Sequence, residues 1–219
     1  MGGIEGSLDS CPSRESGAGA ETAWHGWCTL SPEVVVWSII GLLAACGRPA
    51  PDWEAQLEGW HHTQPIPSVS LVDQAGRAFE LASLGDRPLL VTFLYTRCPV
   101  AEACPMTMQR LVALQEVTDG SELHILGITL DPEHDTPERL RAFGDLHGVN
   151  WQMWTLATGP QGLVDDALPS LFNVYAIPDG DERDHNVKTV LLEPGLTWGA
   201  AFDDNDFDAD TVLSKVRGD

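Results

Sequence analysis

From residue 68 onward the chain alternates between short apolar runs and stretches with helical spacing. SVSLVDQAGRAFEL (68–81) reads as a hairpin that turns at DQAG between two short strands. PLLVTFLY (88–95) and LHILGITL (123–130) are unbroken apolar runs rich in β-formers, the pattern of strands buried on both faces. WQMWTLAT (151–158) predicts a third strand. Between them, PMTMQRLVALQEV (105–117) places Met108, Leu111, Val112 and Leu114 on one helical face. TPERLRAFGDLHG (136–148) carries complete helix punctuation, with Thr136 as N-cap, Pro137 at the first position and Gly148 behind the end. QGLVDDALPSLFNVY (161–175) has helical spacing interrupted near Pro169, and VKTVLLEP and TWGAAF predict two strands joined by a turn at residues 194–195. ADTVLSKVRG (209–218) closes the chain as a helix. This order gives an α/β fold: a central mixed sheet, helices on both faces and an N-terminal hairpin.

The residues before 68 follow no such period. Residues 1–33 are rich in Gly, Ser and Glu and are expected to be disordered. VVVWSIIGLLAAC (34–46) is apolar and uncharged, shorter than the roughly 20 residues a membrane helix needs, and ends in small residues like a signal-peptide core. LLAAC resembles a bacterial lipobox, in which the cysteine, here Cys46, becomes the lipidated first residue. Only Arg14 precedes the run as a basic residue, so an uncleaved anchor and a cytosolic helix stay open as alternatives. The expected organisation is a signal or anchor segment over 1–45, a proline-rich linker over 46–65 and a folded domain over 66–219. The domain would then be exported and membrane-anchored, facing the periplasm or the cell exterior. His61 and His62 fall in the linker and read as solvated.

Charge narrows the partners. With 33 acidic against 12 basic residues, a net −21, the surface repels phosphate backbones, which argues against nucleic acid. An apolar fraction of 43% is enough for an ordinary soluble core. Five cysteines, Cys11, Cys28, Cys46, Cys98 and Cys104, are too few for a disulfide-dense scaffold.

The chemistry concentrates in YTRCPVAEACPM (95–106), between the end of a buried strand and the start of a helix. In open α/β sheets ligands gather at the carboxyl ends of strands. Cys104 precedes Pro105 at a helix start, where the dipole favours a thiolate, so the placement is thioredoxin-like. A structural disulfide, a redox couple and two arms of a metal site all remain open here. His124, His134 and His147 read as structural or solvated, and Met106 and Met108 as helix packing rather than thioether ligands. DDNDFDAD (203–210) suggests calcium, but an EF-hand register from Asp204 would need glycine at Ala209 and glutamate at Lys215, and so fails. Asp131 and Asp135 in DPEHDTP are expected to order the turn and the helix start.

FLYTRCPVAEACPMT, GITLDPEHDTPERLRAF and DHNVKTVLLEP, in that order, resemble the Sco/SenC family of membrane-tethered, thioredoxin-like copper chaperones of cytochrome c oxidase assembly. The resemblance covers roughly residues 66–217, with the D-P-x-x-D-T-P stretch its most specific element. It implies a copper ion, Cu(I) or Cu(II), held by Cys98, Cys104 and His185, with Asp184 beside the histidine. The family's usual three residues between the cysteines are five here. Two thiolates and an imidazole suit a soft copper ion, and a ligating imidazole gives its other N–H to a carboxylate or carbonyl, for which Asp184 is the candidate. The implied partners are a cytochrome c oxidase subunit or another copper-receiving client, a thiol reductant, and the membrane through a Cys46 lipid or the apolar anchor. The alternative is a membrane-tethered thiol–disulfide oxidoreductase that reduces a client's copper-ligating cysteines through Cys98 and Cys104.

Overall fold

The computed structural model describes residues 53–218, apart from Gly59, His62, Asp119, Gly180 and Asp181. The apolar run at 34–46, Cys46 and the whole segment before it lie outside the described residues. Among the described residues no helix is long and apolar enough to cross a membrane.

Seven strands form one sheet in the order β2-β1-β5-β4-β3-β8-β9. Strands β1 (Ser70–Asp73) and β2 (Ala78–Glu80) are the expected hairpin, and β3 (Leu89–Leu94), β4 (His124–Thr129) and β5 (Trp154–Thr158) follow. β8 (Lys188–Glu193) and β9 (Thr197–Asp203) complete the sheet. β3, β4 and β5 pair in parallel; β1, β8 and β9 join antiparallel, so the sheet is mixed. Every residue of β3 and β4 is buried, which explains their unbroken apolar runs. The period of two sends Leu89, Val91 and Phe93 to one core and Leu90 and Leu94 to the other.

The second core holds α2 (Cys104–Glu116), α3 (Pro137–His147) and α5 (Ala209–Arg217), through Met108, Leu111, Leu140 and Leu213. Met108 is fully buried there, as packing required. In α3 Thr136 accepts from the Arg139 N–H and Gly148 closes the helix at φ 74°, as its sequence signals predicted. The first core is covered by a helix at 161–171, in which the turn Leu163–Ala167 is π-helical and runs into α4 (Leu168–Leu171). Pro169 lacks an N–H and its ring crowds the carbonyl four residues back, so a widened turn ahead of it relieves both conflicts.

Two features depart from the expected pattern. The segment at 46–65, read as linker, contains α1 (Trp53–Leu57), whose Trp53 and Leu57 pack on the first core together with Trp60. Trp60 Nε1 donates to the Pro65 carbonyl at 2.8 Å, which holds the ring in place. A second small sheet, β6 (Ala176–Asp179) with β7 (Glu182–His185), stands apart from the main one. Its polar sequence, AIPD and ERDH, carries no apolar alternation from which to predict strands.

Candidate metal centre

Cys98, Cys104 and His185 converge, with one potential ligand atom from each lying within 4.8 Å of the others. Cys98 follows β3 through a turn closed by its N–H on the Tyr95 carbonyl. Cys104 opens α2 and is 2% exposed, and His185 ends β7. Cys104 Sγ lies 3.6 Å from His185 Nε2. The five residues between the cysteines loop outward, with Val100 and Glu102 exposed, and leave the sulfurs close. Both thiols are free. A pocket of about 350 Å³ opens beside Cys98 and His185, between the cysteine loop and β7.

The tautomer of His185 is fixed by its backbone. Nδ1 stands 3.0 Å from the Asn186 carbonyl, an acceptor, so Nδ1 donates and Nε2 is left to face the sulfurs. Asp184 does not take this proton. Alternation along β7 turns Asp184 outward and His185 inward, so the carbonyl of the next residue does the work foreseen for that carboxylate. The Tyr95 ring meets the imidazole edge-on at 5.6 Å.

The two thiols differ sharply. Donation from Cys104 lowers the pKa of Cys98 to about 3; burial opposes this and His185 supports it. Cys104 is pushed well up, first by its hydrogen bond to Cys98 and then by burial. The thiolate is therefore Cys98, not Cys104 as the helix start suggested. One proton shared between two sulfurs stays on the buried one. Burial works against the charged form of His185, but the Cys98 thiolate, the Asn186 carbonyl and Asp184 together raise its pKa. Tyr95 is pushed up to about 12, chiefly by burial.

Residues outside the cysteine motif hold these three side chains in place. Asp131, 2% exposed, accepts from Arg97 Nε at 2.7 Å and from Arg183 Nη2 at 3.3 Å. Arg97 precedes Cys98, and Arg183 lies two residues before His185 on the same face of β7. One carboxylate thus ties the cysteine arm to the histidine arm. Tyr95 adds a second tie, its hydroxyl lying 3.3 Å from both the N–H and the carbonyl of Arg183. Asp135, fully buried, accepts from the Thr96 N–H and from the hydroxyls of Thr96 and Thr129. The expectation that these aspartates order the helix start needs correction, since Thr136 caps α3 and Asp135 pins the residue two before Cys98. The i, i+2 spacing of Arg183 and His185 was the available signal for a shared face, but only if β7 had been recognised as a strand.

His124, His134 and His147 stay apart from this cluster. His124 is buried in β4, with Nε2 3.0 Å from Thr155 Oγ1. His134 pairs with Arg139, and His147 packs on Phe143.

A family model described as SCO1/SenC matches residues 62–218, well over half of the chain. The chain belongs to the SCO1/SenC family. This SCO1/SenC chain is 28% identical to protein SenC of Rhodobacter capsulatus over 179 residues, which is 79% of this chain and 75% of that one. It is 26% identical to the SCO1 protein homolog of Bacillus subtilis over 122 residues, 54% of this chain. That match spans 62% of the relative's length, less than two thirds. The copper-bound ScoI of Bradyrhizobium japonicum superposes with a TM-score of 0.59 at 23% identity, covering 70% of this chain and 99% of that one. The fold is therefore the thioredoxin-like one of the Sco structures, as the resemblance implied.

Proposed function

We propose that this SCO1/SenC chain is a copper carrier. Cys98, Cys104 and His185 take one copper ion as cargo and release it by ligand exchange to a copper-receiving client, such as a cytochrome c oxidase subunit. The observation that carries the reading is the convergence of two sulfurs and an imidazole within 4.8 Å beside an open pocket. Sulfur and imidazole donors favour copper over hard cations such as magnesium or calcium. A half-buried Cys98 lets an incoming ligand reach the metal, while the buried Cys104 and the half-buried His185 retain it. Loss of copper on oxidation tests this, because a disulfide has no thiolate to donate. The full chain, with Cys11, Cys28 and Cys46 replaced by Ser, should bind about one copper when reduced and lose most of it when oxidised. Equal uptake in both states would end the assignment.

A second reading is favoured by the unequal thiols. A half-buried but accessible thiolate at Cys98 backed by a buried, protonated Cys104 suits thiol–disulfide exchange, with Cys98 attacking a client disulfide and Cys104 resolving the mixed disulfide. This would keep a client's copper-ligating cysteines reduced, with a thiol reductant regenerating the pair. We place either activity at the outer face of a membrane, on the strength of the apolar run ending at Cys46. Metabolic labelling with a palmitate analogue, compared between wild type and Cys46→Ser, tests that placement.

A further inference from the structure

The acidic turn at 203–207, between β9 and α5, has no part in the metal centre as described, yet it reaches both of its arms. Asn205 is 1% exposed and sits at φ 60°, beside Asp204 at φ 51°. Successive left-handed residues are uncommon outside glycine, and Asn tolerates the conformation better than most. The Asn205 amide points into the protein. Its Nδ2 donates to the Glu102 carbonyl at 3.0 Å and lies 3.5 Å from that of Ala103, and its Oδ1 accepts from Thr107 Oγ1 at 2.8 Å. Glu102 and Ala103 are the last two residues before Cys104, and Thr107 lies in the first turn of α2. Ala103, the N-cap of α2, has no capping side chain, so the end of the cysteine loop is held from outside.

The turn is itself anchored. Asp204 N donates to the Val187 carbonyl at 3.0 Å, two residues beyond His185. Phe207 is buried in the second core, and its carbonyl accepts from Arg110 of α2. A brace with one end beside Cys104 and the other beside His185 is thus built from residues far apart in sequence.

We propose that Asn205 is a positioning residue of the thiol pair, its buried amide fixing the end of the five-residue loop and hence the separation of the Cys98 and Cys104 sulfurs. An unbraced loop of this length samples wider separations, which lowers the effective concentration of one thiol at the other. For copper the inference rests on the carrier reading above; for the thiols it stands alone. Outer partners of metal ligands are individually worth about tenfold or more in metal affinity.

The test uses the full chain with Cys11, Cys28 and Cys46 replaced by Ser, as that background and with Asn205→Gly or Thr107→Val. Glycine accepts the left-handed backbone, so Asn205→Gly removes the amide without adding strain. Thr107→Val removes one hydroxyl at constant shape. Each protein is equilibrated with reduced and oxidised glutathione, where two protein thiols and one GSSG give one disulfide and two GSH. A single tryptic peptide, residues 98–110, contains both cysteines and reports the oxidised fraction by differential alkylation. Copper affinity is measured in parallel by competition with a chromophoric chelator. Asn205→Gly should lower the disulfide equilibrium constant and the copper affinity about tenfold each, with Thr107→Val moving both less in the same direction. If both variants lose thermal stability but keep both constants at the background value, Asn205 is only a structural residue and the proposal is overturned. If the background protein takes up no copper, the carrier reading falls and the disulfide constants alone decide for or against Asn205.

Discussion

Cys104 Sγ and His185 Nε2 lie 3.6 Å apart although 81 residues separate them in the chain. The histidine is presented with its Nδ1 proton on a carbonyl and its Nε2 towards the sulfurs, which suits it to bind a metal. Cu(I) is held tolerably by two thiolates, whereas Cu(II) gains more from nitrogen. His185→Ala should therefore weaken Cu(II) far more than Cu(I) and bleach the sulfur-to-copper charge-transfer band. Cys98→Ser or Cys104→Ser should abolish both. Disulfide exchange, followed by insulin reduction, should survive loss of the histidine and fail with either cysteine. Wild-type affinity of His185→Ala for both copper states would remove the histidine from the site.

Asp131 is held between two guanidinium groups that belong to opposite arms of the site. Burial alone would raise its pKa, but Arg97 and then Arg183 bring it below the ordinary aspartate value of 3.8. A depressed carboxylate contributes stability that is present above pH 3.8 and is lost as the pH falls through the lower folded value. Asp131→Asn leaves Arg183, whose side chain is only 10% exposed, without its charge partner. We expect a loss of about 2–4 kcal/mol, below the full value of a buried pair because Arg97 is part-exposed. The same substitution should weaken copper binding, since both arms lose their common anchor. Urea unfolding and copper competition on one preparation check the pair of effects, and unchanged copper affinity would show that Asp131 only stabilises the fold.

Asp135→Ala removes the acceptor from three donors, two on the part-buried Thr96 and one on the fully buried Thr129, rather than from a surface cap. The cost should exceed the ~1 kcal/mol of a lost cap and reach about 2–4 kcal/mol. A change in the chemical-denaturation midpoint no larger than that of Thr136→Ala would contradict this accounting.

His124 gives the fold an acid sensitivity separate from the metal centre. Burial, then the charge of Arg87, lowers its pKa from 6.5 to about 4. The unfolded chain takes up a proton between pH 6.5 and 4 that the folded one refuses, so stability falls as the pH drops through that window and is complete above it. The loss should be on the order of 2–3 kcal/mol. Unfolding measured at pH 7.5 and 4.5 should show a smaller drop for His124→Gln than for wild type. Parallel losses in the two proteins would refute the assignment.

Gly144 of α3 is buried, and a Cβ there would overlap the Trp151 ring. That ring is fixed by its Nε1 bond to Asp145 at 2.8 Å and by the Arg141 guanidinium 4.5 Å over its face. Glycine to alanine in a helix interior normally stabilises by about 0.5–1 kcal/mol. Here Gly144→Ala should instead destabilise by about 1–3 kcal/mol, the range for overpacking. A raised melting temperature would show that Trp151 can move aside.

Most of the main sheet was legible in the sequence. Strands β3, β4 and β8 are apolar because both faces are buried, and α3 carries its cap, its proline and its closing glycine. These signals are local, so the order of residues alone conveys them. The thiols were equally plain, as paired cysteines at a strand–helix junction. The β6–β7 hairpin was not legible, because its strands form no core and so carry no apolar alternation. With it went the direction of Asp184, which a strand turns away from the histidine.

The sequence by itself determined the α/β order, the two buried central strands, the helix ends and the position of a sulfur pair. Only the tertiary structure decided which thiol is ionised, which group orients His185, and which residues brace the site. The reason is physical. The hydrogen bond from a second sulfur, itself kept protonated by burial, sets the charge on Cys98, and neither that contact nor that burial is a property of its sequence neighbours. Arg183 meets Asp131 across 52 residues, and Asn205 meets Glu102 across 103. Polar contacts at such separations leave no period in the chain, because it takes the packed sheet and helices to bring their partners together.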